Sequence, residues 1–254
     1  MSHDTVLEAR DLTKTFSSTD PPTRVLDGID LTVREGEFLV VMGASGSGKS
    51  TLLYTVSGMD RPSGGTVTLR GRDLTALGDA ETSRVRLHET GFVFQEAYFL
   101  RNLTVRDNVL LPALKAAPKE KAADVARVDA LLERFGIAHV AHHGITQVSG
   151  GQLQRASICR ALACEPSVVF ADEPTGALNS SMSAEVMDAL THVHAGGTTV
   201  VMVTHDPGCA ARADRVVYLR DGRVVDTRVL GTWSPERAGA REDELLLWLR
   251  KLGF

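Results

Sequence analysis

Three short runs of uninterrupted apolar residues stand out along the chain: Phe38 to Met42 in "GEFLVVMG", Val168 to Ala171 in "SVVFADE", and Val200 to Val203 in "TTVVMVTHD". Such runs predict strands buried on both faces, and the helical patterns between them predict a parallel sheet covered by helices. "DTVLEARDLTKTF", "RVLDGIDLTV" and "GGTVTLRGRDL" alternate apolar and polar positions instead. They predict half-buried strands of an antiparallel sheet flanking the parallel one. From about Ala97 to Ser149 the apolar spacing becomes helical, with Pro118 starting a new turn, as in an all-helical insertion over about residues 97–165. "DRVVYLRDGRVVDTRV" reads as two strands around Asp221-Gly222, a hairpin signal. The tail "REDELLLWLRKLGF" reads as an amphipathic helix for the core or for a partner. The expected fold class is α/β: one domain over residues 1–230 with its helical insertion, then a tail over 231–254.

Composition narrows this picture only slightly. With 254 residues, 43% hydrophobic and 24% charged, the chain is long enough for one sizeable core. A net charge of -4 provides no basic field for a phosphate backbone, so no nucleic acid is expected among the partners. Cys159, Cys164 and Cys209 are too few and too dispersed for a disulfide framework or a zinc site, and read as reduced thiols. The N-terminus is charged from its fourth residue and no apolar run approaches the ~20 residues of a membrane span. Any service to a membrane is therefore expected to pass through another chain.

Gly43-Ala44-Ser45-Gly46-Ser47-Gly48-Lys49-Ser50 follows the first buried strand and opens a helix from about Lys49, the full pattern of a phosphate-binding loop. Glycines let backbone N–H groups turn toward phosphates at a helix N-terminus, where Lys49 can reach the outer phosphates and Ser50 a Mg²⁺ ion. At the end of the second apolar run, Asp172 is suited to orient a Mg²⁺ shell and Glu173 to polarise an attacking water. Two adjacent acids could instead cap the following helix, a reading that leaves the phosphate loop unexplained. "TQVSGGQLQRASICRAL" supplies a third element: Ser149, Gly150 and Gly151 precede a helix read as Gln152 to Leu162, and form a second anion site without a lysine of its own. A plain N-cap would account for Ser149, but by itself requires neither the double glycine nor Gln152.

In combination and order, GASGSGKS, "FVFQ", VSGGQ, VVFADE, "GALNS" and "VTHD" resemble the motifs of the ATP-binding subunits of ABC transporters, from about Val6 to Val229. The resemblance implies the ABC ATPase version of the phosphate-loop fold, with ATP and Mg²⁺ as ligands. It also implies two copies arranged head to tail, a homodimer in the simplest case. ATP would then lie between Gly43 to Thr51 of one copy and Ser149, Gly150, Gly151 and Gln152 of the other. By the same resemblance Gln95 senses Mg²⁺ and water, His205 contacts the γ-phosphate and positions Glu173, and Phe16 stacks on adenine; a histidine after a strand is otherwise more often structural, and Phe16 otherwise a core residue. "GFVFQEAYFLRNLTVRDNVLLPAL" is similar to the subfamily of macrolide exporters, lipoprotein-releasing systems and a cell-division pair, whose permeases carry large extracytoplasmic domains. "DEPTGALNS" and Asp206-Pro207 lean toward the branch tied to antimicrobial-peptide resistance. A peripheral place on the cytoplasmic face of the inner membrane follows from this likeness. Tyr98, Phe99 and Leu100 are expected either to grip a permease helix or to form lobe core.

The pattern is not followed throughout. Leu178-Asn179 stands where the family usually has Leu-Asp, removing a charge; Val148 replaces a leucine; and Arg101 replaces a proline. His139, His142 and His143 read as a solvated loop. Two alternatives from other classes stay open. One is a non-transport ATPase of the same family, although DNA-repair members insert long coiled coils where only about a hundred residues intervene here. The other is a small-molecule kinase, which leaves Ser149 to Gln152 without a purpose.

Overall fold

Residues 5–17, 20–117, 119 and 121–254 are described by the computed structural model; the turn expected at Pro118 lies outside them. In chain order come β1 (Thr5–Phe16), β2 (Thr23–Arg34), β3 (Phe38–Met42), α1 (Lys49–Val56), β4 (Gly64–Leu69) and β5 (Arg72–Asp73). Next are α2 (Asp79–Glu89), β6 (Thr90–Val93), α3 (Val105–Ala116), α4 (Lys121–Arg134) and α5 (Gly150–Leu162). The chain continues through β7 (Val168–Asp172), α6 (Ser180–Ala195), β8 (Thr199–Val203), α7 (Pro207–Ala210), β9 (Arg215–Arg220), β10 (Arg223–Val229) and α8 (Ala238–Lys251). Two compact units emerge, Met1–Thr82 with Thr199–Phe254, and Ser83–Thr198. The second unit is wider than the insertion expected at 97–165, because β6 and β7 pair with each other in parallel and α5 packs on β6.

In the first unit, β2-β1-β4-β5 form the antiparallel sheet that the alternating segments predicted. β3 lies in parallel between β8 and β9, with β10 returning antiparallel along β9 through the Asp221-Gly222 turn. Every residue of β3 and β8 is buried, which is why both read as unbroken apolar runs. The tail helix α8 starts at Ala238, before the apolar stripe that announced it, and packs within its own unit. Leu245, Trp248 and Leu249 form the buried stripe, with the Trp248 ring edge-on to Tyr218 and its Nε1 donating to Asp226 Oδ2 at 2.9 Å. Burying each of the two leucines stabilises this packing by ~1.5–3 kcal/mol.

In the second unit α3, α4 and α6 pack against α5. The helical pattern expected from Ala97 begins only at Val105, because other bonds hold the backbone before it. Thr104 caps α3 by accepting from Asp107 N at 3.1 Å, and buried Asn108 bonds both main-chain groups of Leu100, at 2.7 and 3.1 Å. Arg106 forks onto Asp129 at 2.6 and 2.8 Å, joining α3 to α4, and the guanidinium holds that carboxyl below the usual aspartate range. α2 has no counterpart in the apolar pattern of the sequence. Only Thr82 and Val85 are buried in it, too few to impose a helical period on the sequence.

Candidate functional site

The loop between β3 and α1 is shaped by close backbone approaches. A Cβ on Gly43 would sit 2.2 Å from the Leu219 carbonyl oxygen, so no other residue fits where the chain leaves the sheet. Gly48 is the N-cap of α1 at φ 100°, a left-handed conformation that favours glycine, and it provides no side-chain cap bond. The first turn of α1 carries no acid. A helix N-terminus with no acid beside it presents an uncompensated partial positive charge, the condition for accepting phosphate. Lys49, 7% exposed, folds over the loop and donates to the carbonyl oxygens of Gly43 and Ala44 at 2.9 and 3.0 Å. The Ser47 hydroxyl is buried with no hydrogen-bond partner among the described residues, a condition costing ~1–3 kcal/mol that an oxyanion would relieve. Ser45, Gly46, Ser50 and Thr51 complete this stretch.

The same unit holds Phe16 and His205. Phe16 ends β1 and is 37% exposed, so it is not a core residue; the ammonium of Lys14 lies 5.0 Å from its ring centre. His205 is exposed directly beyond β8. Its flanks are fixed: Thr204 Oγ1 accepts from Asp206 N at 3.1 Å, and Asp206 caps α7 by accepting from Cys209 N at 2.9 Å.

In the second unit, fully buried β7 delivers Asp172 to its end, where it is 8% exposed. Glu173 follows at φ 44°, and the chain turns there, with Gly176 N donating to Glu173 O at 3.0 Å. The Gln95 side chain lies against this turn: a Cβ on Gly176 would come within 3.0 Å of Gln95 Nε2. Two residues of α5 hold the segment carrying Gln95. Gln154, 3% exposed, donates to Phe94 O at 2.7 Å, while Arg160 donates to Ala97 O at 2.6 Å and Tyr98 O at 3.3 Å. The Arg160 guanidinium also lies 4.5 Å over the Phe99 ring, and burial pulls its pKa down to about 10. Neither residue was singled out from the sequence. The available signal was a glutamine on the face shared by Gly151, Ile158 and Ala161, where a buried polar group needs a partner.

α5 begins at Gly150, two residues earlier than read from the sequence, with Ser149 as its N-cap. Ser149 Oγ accepts from Gln152 N at 3.3 Å and Gln152 Oε1 accepts from Ser149 N at 2.8 Å, a reciprocal capping box. Capping therefore does account for Gln152, contrary to the sequence reading. The double glycine has a packing reason: a Cβ on Gly150 or Gly151 would come within 3.2 Å of Leu178 Cδ2 or Met182 Cγ. With no acid in its first turn, this helix end too is suited to an anion. Asn179 caps α6, accepting from Met182 N at 3.0 Å. His139, His142 and His143 are all exposed, and His139 Nε2 lies 3.3 Å from Gln152 Nε2. Tyr98 and Leu100 are 69% and 49% exposed, which removes them from the lobe core. They border a groove of about 480 Å³ lined also by Phe92, Phe94, Leu111 and Pro112.

Comparison with known proteins gives these parts a common setting. The family model described as "ABC transporter" matches residues 26–176. Macrolide export ATP-binding/permease protein MacB 2 of Aeromonas hydrophila subsp. hydrophila is 43% identical over 219 residues, covering 86% of this chain and 34% of that protein. The chain thus spans about a third of the length of the macrolide-export relatives it matches. Lipoprotein-releasing system ATP-binding protein LolD 1 of Rhodopseudomonas palustris is 41% identical over 221 residues, covering 86% of this chain and 98% of that one. Among solved structures, the dimeric bacterial ABC transporter cassette MJ0796 is 35% identical with a TM-score of 0.81, covering 89% of this chain and all of that one. The same cassette in a post-hydrolysis state, bound to ADP and Pi, matches with a TM-score of 0.78.

Proposed function

The chain belongs to the ABC transporter family, and on that premise we propose that it is the ATP-hydrolysing subunit of a transport system of the macrolide-export and lipoprotein-release type. The observation that carries this reading is the presence of two different anion-accepting helix ends in one chain. One, at α1, has a lysine and an orphaned buried hydroxyl; the other, at α5, has a serine cap and no cation of its own in the first turn. Neither is a complete nucleotide site by the logic of charge, and two copies arranged head to tail let each supply what the other lacks. That one of the solved relatives is a dimeric cassette supports a pair.

In this reading Lys49 and the amides of residues 43–51 bind the β- and γ-phosphates, Phe16 stacks on adenine, and Ser149, Gly150, Gly151 and Gln152 of the second copy cover the γ-phosphate. The donors assigned to Mg²⁺, the Ser50 hydroxyl, the Asp172 carboxylate and the Gln95 amide oxygen, are hard oxygens throughout, which suits that ion. When bound, the ion neutralises charge on the phosphate oxygens. Glu173 accepts the proton of the attacking water and His205 holds the γ-phosphate side of that arrangement. The groove beside Tyr98 and Leu100 takes a helix of a membrane permease with an extracytoplasmic domain, on the cytoplasmic face of the inner membrane. Among the described residues its lining includes Arg86, Lys115 and Arg160 and no carboxylate. Among the described residues no helix is long and apolar enough to cross a membrane.

The test is Glu173→Gln. Turnover of Mg-ATP should fall ~10²–10⁴-fold while nucleotide affinity is kept, and the variant should accumulate as an ATP-bound pair. Near-normal turnover would remove Glu173 from the role of base, and transfer of the γ-phosphate to a metabolite would replace the hydrolase by a kinase.

A further inference from the structure

Arg241, in the first turn of α8, is 4% exposed, yet among the described residues none of its hydrogen-bond partners is a carboxylate. Its Nε donates to Ala211 O at 2.7 Å, Nη1 to Thr232 O at 2.8 Å, and Nη2 to Gly231 O at 2.6 Å and to Ala213 O. Burial lowers the pKa of the guanidinium, with the charge of Asp214 acting the other way. To fasten α8 alone, an apolar side chain would serve better, because a buried cation carries a desolvation cost that main-chain dipoles offset only in part. What the cation provides is geometry: a planar fork that can bond two separate stretches of backbone at once.

Those stretches are informative. Gly231 and Thr232 lie just past β10, whereas Ala211 and Ala213 lie just past α7, the four-residue helix that starts two residues after His205. The chain from His205 to Asp214 is therefore held at both ends. At the start, Asp206 bonds Thr204 Oγ1 and caps α7. At the finish, Asp214 exchanges bonds with Phe38 of β3, at 2.8 and 2.9 Å, next in the chain to Ala213, whose carbonyl Arg241 grips along with that of Ala211. The neighbouring residue closes the same contact: a Cβ on Gly208 in α7 would meet Glu242 Oε1 at 3.4 Å.

We propose that Arg241 is a positioning residue for His205, fixing the seat of α7 and with it the place at which the imidazole is presented beyond β8. Its effect on turnover rests on the role given to His205 in the proposed function; its effect on the position of the ring does not. The test uses the full chain as wild type, Arg241→Lys, Arg241→Met and, as a control at the same end of α8, Arg237→Ala, whose side chain is 66% exposed. Lysine keeps the charge but offers one nitrogen in place of the fork.

Imidazole resonances are assigned with His205→Ala. The His205 signal should shift or broaden in Arg241→Lys while that of His88 stays in place, and an unmoved His205 signal overturns the proposal whether or not the chain hydrolyses ATP. In turnover assays kcat should fall on the order of 10-fold with KM within about twofold, the pattern of a displaced reacting group. A change in KM alone, or an equal loss in Arg237→Ala, overturns it. Should Arg241→Met fail to fold, Arg241→Lys carries both readouts. A wild-type chain without ATPase activity would overturn the hydrolase reading and leave the His205 signal to decide this one.

Discussion

Ser149 has two roles that a pair of substitutions can separate. It caps α5 through a 3.3 Å bond from Gln152 N, and in the proposed function it also faces a γ-phosphate. Ser149→Ala removes both, at a cost of ~0.5–2 kcal/mol in stability for a lost N-cap. In a protein of this size that lowers Tm by about 2–4 °C per kcal/mol. Ser149→Asp keeps the cap, since aspartate ranks with serine at this position and its charge favours the helix N-terminus. Stability should stay within about 0.5 kcal/mol of wild type. Hydrolysis should not survive: a carboxylate about 4 Å from a phosphate charge, at the effective dielectric of a protein surface, is repelled by ~4 kcal/mol. That corresponds to a roughly 10³-fold loss. The assays are thermal unfolding followed by circular dichroism and steady-state release of phosphate from Mg-ATP. If Ser149→Asp is as stable as wild type and also as active, capping is all that Ser149 does, and the second anion site is refuted.

Three further outcomes follow from local geometry. Asn179→Asp should leave Tm unchanged, because either residue can cap α6, while the Hill coefficient of ATP hydrolysis should change if the two nucleotide sites communicate there; identical coefficients would mark the substitution as neutral. Arg106 lowers the pKa of Asp129, so the folded chain binds that proton less readily than the unfolded one. The stability difference between wild type and Asp129→Asn, about 1 kcal/mol or less, should be fully present above pH 3.8 and fade as the pH falls below it; urea midpoints that keep the same gap at low pH would contradict this. Burial pushes the Cys159 thiol up to about 12, leaving a thiolate fraction on the order of 10⁻⁴ at pH 8, so native Cys159 should react with a disulfide reagent only as fast as the chain opens; equal rates with and without urea would argue otherwise.

How much of this was legible in the sequence depended on the kind of signal. β3, β7 and β8 are buried throughout, so burial alone wrote them into the composition, and the phosphate loop is written in glycines that no other residue could replace at Gly43. Boundaries set by single hydrogen bonds were harder. Ser149 and Gln152 form a cap that moves the start of α5, and Asn108 holds Leu100 out of a helix; each depends on one side chain meeting one backbone group, which leaves no periodic trace. Arg241 and Arg160 were the least visible. Their partners are main-chain carbonyls, and a carbonyl has the same identity at every position, so nothing in the string of side chains marks which ones will be gripped.

The grip of α5 on the Gln95 segment has a consequence for cooperativity. Gln154 and Arg160 stand six residues apart, about 9 Å along the helix axis, and between them bond Phe94, Ala97 and Tyr98 through their carbonyls. A segment so held cannot open by fraying residue by residue. Its amides and those of α5 should exchange with solvent as one unit, with a shared opening free energy, rather than showing the graded protection of an ordinary surface loop.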